Sequence, residues 1–134
     1  MQRPTPGAEG GAEMLSILTR VVIGLLLIIH GFAHWQITTA WGTREVATSW
    51  LLGQAGTLGT VLWAVTLGGF ILAGIAVFIG LRMWRSLAIA SAIISLVTMA
   101  LFWQTTMGIG AIVDVGIVVA LVWAKWPQPK LVGS

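Results

Sequence analysis

The sequence predicts an all-α integral membrane protein, a bundle of four transmembrane helices, and three observations predict it. Of 134 residues, 57% are hydrophobic and only 8% are charged, whereas a soluble domain usually carries about a quarter of its residues as charge. The apolar residues gather into four runs. Each is near or above the roughly twenty residues that, at 1.5 Å per residue, cross a hydrocarbon core about 30 Å thick. The basic residues fall almost wholly on one side of those runs, as in a multi-pass protein oriented by its loops.

Residues 1–14, MQRPTPGAEGGAEM, lack apolar periodicity and are rich in Pro, Gly, Ala and Glu, which predicts a disordered cytoplasmic tail. The membrane domain then covers residues 15–126. Its spans run from about Leu15 to Trp35, Thr57 to Leu81, Trp84 to Gln104 and Gly108 to Trp126, with a second cytoplasmic tail over 127–134. The first span is longer than the apolar core of a signal peptide and contains Arg20, His30 and His34, so it reads as a retained helix.

Arg3, Arg20, Arg82, Arg85, Lys125 and Lys130 lie on one side of the spans, and only Arg44 lies on the other, beside Glu45. The positive-inside rule makes the six-residue side cytoplasmic and places both termini there. The expected localisation is a membrane crossed several times, with both termini cytoplasmic. Trp35, Trp41, Trp50 and Trp103 at one boundary, and Trp84, Trp123 and Trp126 at the other, stand where interfacial aromatic belts belong. Only Trp63 falls within a span.

The loop from Gln36 to Gly56 is the longest. Thr43 can cap a helix, and Val46, Trp50 and Leu51 share one face of it, which predicts a short amphipathic surface helix over Arg44 to Leu52. Such a helix serves as an anchor or as a lid over a cavity. Small residues at four-residue spacing, Gly69 and Ala73, Ala76 and Gly80, Ala88 and Ala92, Gly116 and Ala120, predict faces of close helix packing.

The depth of the polar side chains is the most informative feature. His30 lies about five residues inside the outer end of the first span and Asp114 about six inside the outer end of the fourth, so both sit roughly 8 to 9 Å deep on the same side. An ionised carboxylate facing lipid costs about 2.5 to 3.5 kcal/mol on insertion scales. Asp114 is therefore expected to face the bundle, with His30 as its partner. His34 lies one turn further out on the same helix face, and Gln104, Arg44 and Glu45 lie near that outer surface. Together they make candidates for an outward-facing ligand or proton-handling site. Arg20, near the cytoplasmic end, reads as a snorkelling topology anchor.

The same three residues can instead be an internal hydrogen-bonded network that fixes helix register. They are also weak candidates for a metal, since two His at i, i+4 and one Asp supply three zinc or copper ligands. A haem or pigment ligated on both faces would need a second chain, because His30 and His34 project from one side of one helix; one-sided ligation stays open. With no cysteine in the chain, thiol nucleophiles, dithiol redox chemistry and thiolate metal sites are excluded. Seven dispersed basic residues do not make a nucleic-acid footprint.

The start of the first span, from Arg20 through Val21, Val22, Ile23, Gly24 and the following Leu and Ile residues to His30 and Gly31, resembles the opening of the DoxX-like small membrane proteins. There an Arg begins a Gly- and Leu-rich first helix that ends in a small polar segment. The four-span layout, the long first outer loop and an Asp in the fourth span are similar as well. The family commonly continues into a basic residue where this chain has His34, Trp35 and Gln36. The resemblance implies a bacterial membrane protein of quinone-linked or thiol-linked redox assemblies, usually a partner to other subunits, and supplies no defined catalytic residues.

Three functions follow as expectations. The first is a small or accessory subunit of a membrane assembly, possessing little room for catalysis on its own, which binds membrane lipids, partner subunits or further copies of itself and holds a quinone or lipid under the outer loop. The second is a homo-oligomeric transporter or channel using His30 and Asp114. The third is a haem- or pigment-binding subunit of an energy-converting complex.

Overall fold

Residues 6–39 and 48–132 are described by a computed structural model, and they are mostly helical. Helix α1 spans Pro6–Thr39, α2 Gly56–Phe78, α3 Trp84–Leu101 and α4 Gly108–Val118. A 3-10 turn, Thr105–Met107, leads into α4, and a π-helical turn, Val119–Trp123, continues it. Three helical segments are long and apolar enough to cross a membrane: Gly10–His34, Gly56–Phe78 and Trp84–Leu101. The fourth apolar helix, Gly108–Trp123, is shorter.

One expectation about the chain outside the spans needs correction. Residues 6–14 are not a disordered tail but the first turns of α1. Pro6 opens the helix with its φ already helical, and Ala8, Glu9, Ala12 and Glu13 are good helix formers. Extending a helix that a span has nucleated costs far less than starting one. Residues 127–132, within the expected second tail, are in part helical. They include α5, Pro129–Val132, which packs on α1 and buries Val132.

The surface helix expected over Arg44 to Leu52 is also corrected where it is described; Arg44, Glu45 and Val46 lie outside the described residues. Strands β1, Thr48–Ser49, and β2, Gly53–Gln54, pair antiparallel, with Ser49 opposite Gly53. The reason is local. The Ser49 hydroxyl accepts from the Leu51 and Leu52 backbone N–H groups, both at 3.2 Å, which offers the backbone a turn in place of a helix. Gly53 at φ 70 then closes the hairpin. Ser49 Oγ also donates to the Leu101 carbonyl at 2.7 Å and Trp50 Nε1 to that of Ala100 at 2.6 Å, so the hairpin covers the C-terminal carbonyls of α3.

Helices α1, α2, α3 and α4 pack in chain order. The turn between α2 and α3 is set by Gly80, at φ 73. Its N–H bonds to the Val77 carbonyl and that of Leu81 to the Ala76 carbonyl, the paired bonds of a Schellman stop that favours glycine. One apolar core, containing Phe70, Ala73, Val77, Trp84, Ala88 and Leu121, lies toward this turn. A second, of Trp63, Met99, Phe102 and Met107, lies toward the hairpin.

The small-residue pairs divide. Ala73, Ala76, Ala88 and Ala92 are buried, as close packing predicts. Gly116 is exposed, with open space where a Cβ would stand, so the expectation that it meets a neighbouring helix does not hold within one chain. Trp84, assigned by sequence to an interfacial belt, is buried, with the Arg85 guanidinium 5.4 Å from its ring centroid.

Candidate functional site

Asp114 and His30 meet across the bundle. His30 Nε2 and Asp114 Oδ1 share a hydrogen bond at 2.8 Å. Asp114 is fully buried and His30 is 12% exposed, so the pair takes the carboxyl out of hydrocarbon contact, where leaving it unpaired would cost several kcal/mol. The other carboxyl oxygen, Oδ2, is buried with no hydrogen-bond partner among the described residues.

His34 joins them from one turn further along α1 and is 2% exposed. One ligating atom from each of His30, His34 and Asp114 lies within 4.8 Å of the others. Of the six residues that sequence nominated, these three converge. Gln104 stands in the connection after α3, its carbonyl accepting from the Met107 N–H at 2.9 Å. Arg44 and Glu45 lie outside the described residues.

Helix α2 supplies walls that sequence reasoning missed. The Trp63 ring centroid lies 4.6 Å from that of His34. Phe70 meets His30 edge-on at 4.7 Å and lies parallel to His34 at 5.9 Å. Both aromatics are fully buried. Trp63 and Phe70 are seven residues apart and so share a helix face. The signal available in the sequence was that Trp63 is the one tryptophan set within a span rather than at its end.

Beside the cluster, α1 and α4 part. The gap is a cavity of about 450 Å³, bounded on α1 by Val22, Leu26, Ile29 and Ala33 and on α4 by Val113 and Ile117. These recur at helical spacing, so each helix contributes one continuous apolar stripe. From Val22 to Ala33 the stripe is roughly 16 Å long. Among the described residues His30 is the only ionisable side chain in the wall, and Trp84, Trp126 and Pro127 close the end away from it. The π-helical turn contributes Ala120 and Leu121 to the same wall.

Two basic residues, Arg20 and Arg85, lie at that far end. Arg20 stands against Gly80 in the α2–α3 turn, its Nη1 3.2 Å from the position a Cβ there would take. Arg85 donates to the Pro127 carbonyl. This ties α3 to the segment that follows α4.

No family model, curated protein or solved structure matches this chain.

Proposed function

We propose that the chain is a small, DoxX-like subunit of a bacterial cytoplasmic-membrane assembly, and that it holds an apolar-tailed molecule, a quinone or a lipid, between α1 and α4. The observation that carries this reading is the crevice itself. It is long and apolar along two helix stripes, and its one ionisable wall residue among the described residues is His30, braced by the buried Asp114. An isoprenoid or acyl tail matches the stripes, and a carbonyl or hydroxyl head matches an imidazole that can donate or accept.

A subunit role is supported by α1, whose span window is only 11% buried within the chain and leaves its outward face to lipid or partner helices. The orientation with both termini inside is supported by Arg20, Arg82, Arg85 and Lys125, which stand at one end of the bundle.

The test uses purified protein in detergent micelles. A short-chain ubiquinone analogue should quench the fluorescence of Trp84 and Trp126 saturably, and a saturated phosphatidylglycerol should not. Filling the crevice by Ile117→Trp should weaken the quinone at least tenfold, and His30→Ala should weaken it several-fold. Lipid retained through purification, with no saturable quenching, would select the lipid. Quenching that does not saturate, with no co-purifying lipid, would end the reading.

A further inference from the structure

We infer that His30, His34 and Asp114 form a binding site for one first-row divalent transition-metal ion. The inference does not depend on what fills the crevice. Three observations carry it. The ligating atoms of the three side chains lie within 4.8 Å of one another, in the interior of the bundle. Asp114 Oδ2 is buried, 0% exposed as a residue, and has no partner among the described residues, so the carboxyl holds an unused acceptor at the cluster. Trp63 and Phe70 pack against the imidazoles and restrict how the rings can turn.

The geometry is within reach of coordination. Ligands at zinc lie 2.0 to 2.2 Å from the metal, so tetrahedral neighbours are about 3.4 Å apart, and the longest pair here must close by about 1.4 Å. His30 and Asp114, 2.8 Å apart, must instead open by about 0.6 Å. A metal between them takes the place of the proton they share; the imidazole then ligates through the Nε2 lone pair as the neutral ring, with its single proton on Nδ1.

The donor set names the class of ion. Two imidazoles and a carboxylate, with no cysteine in the chain, suit zinc, copper(II), cobalt(II) or iron(II). Calcium and magnesium want oxygen throughout. Three protein ligands also leave a position open, as in catalytic rather than structural sites. Of the three, His30 alone also lines the crevice.

The test is titration of the delipidated, chelator-stripped full chain in detergent, carrying a purification tag without histidine and with no quinone present. Cobalt(II) serves as the probe. One equivalent should bind and give the intense visible bands of a four-coordinate site. His34→Gln and Asp114→Asn should each weaken binding at least tenfold with helical circular dichroism retained, and the exposed Ile109→Ala should leave it unchanged. Copper(II) bound to the unaltered protein should show hyperfine splitting from two imidazole nitrogens, a readout that needs no variant to fold. Absence of stoichiometric binding, binding indifferent to His34→Gln and Asp114→Asn, or a copper spectrum without two nitrogens would each overturn the inference.

Discussion

A carboxyl with no solvent exposure and one hydrogen bond makes Asp114 sensitive to what stands opposite it. Truncating His30 to Ala leaves Oδ1 as unsatisfied as Oδ2 already is. The desolvation cost of such a group, about 1 to 3 kcal/mol, then falls on the folded state. His30→Ala should therefore lower the melting temperature in detergent clearly, while His30→Gln, which keeps a donor near the same point, should lower it by less than half as much. Equal losses would mean that packing against Phe70, and not the hydrogen bond, is what His30 supplies. His30 and Asp114 were legible in the sequence because an ionisable residue in hydrocarbon must find a partner at its own depth. The aromatic walls were not, because an apolar ring in a span is equally at home facing lipid.

At the scale of the element, α1 and α2 cross closely because of Gly74. A Cβ built there would lie 2.8 Å from the Gly24 carbonyl oxygen and 2.6 Å from Ile28 Cγ1. Backbone cannot yield as a flexible side chain can, so overpacking of about 1 to 3 kcal/mol or more follows. Gly74→Val should sharply reduce folded protein after detergent extraction, whereas Gly116→Leu, with open space around it, should leave the isolated chain as stable as before. Size-exclusion chromatography and thermal unfolding would check both. A loss of assembly with Gly116→Leu at unchanged monomer stability would place a partner helix on that face. Sequence spacing flagged Gly116 and Ala120 as readily as Ala88 and Ala92, yet only the latter pair is buried. Small-residue spacing marks where helices can approach, and says nothing of whether the neighbour belongs to the same chain.

For the molecule as a whole, the orientation can be tested without background because the chain has no cysteine. Met83 beside the α2–α3 turn and Trp103 after α3 are both exposed, and α3 separates them. Met83→Cys should react with a membrane-impermeant maleimide only after the cells are opened, and Trp103→Cys in intact cells. The reverse pattern would invert the proposed topology, and labelling of both in intact cells would mean that α3 does not span. Trp84, though adjacent to Met83, is unsuitable because its side chain is buried beneath Arg85.

By itself the sequence predicts four spans, of which three helices are long and apolar enough to cross and the fourth is shorter, and it predicts the meeting of His30 with Asp114. Each follows from a large free-energy cost, that of exposing backbone or charge to hydrocarbon, and such costs are read from residue type and position along the chain. Only the tertiary structure decided that α1 and α4 part to leave a crevice, that Ser49 and Gly53 build a hairpin in place of a surface helix, that α5 returns to α1, and that Gly116 faces outward. In a membrane, lipid tails are as apolar as side chains, so the choice between a helix, a lipid and a gap as neighbour carries little signature in the sequence and is settled by how well particular surfaces fit.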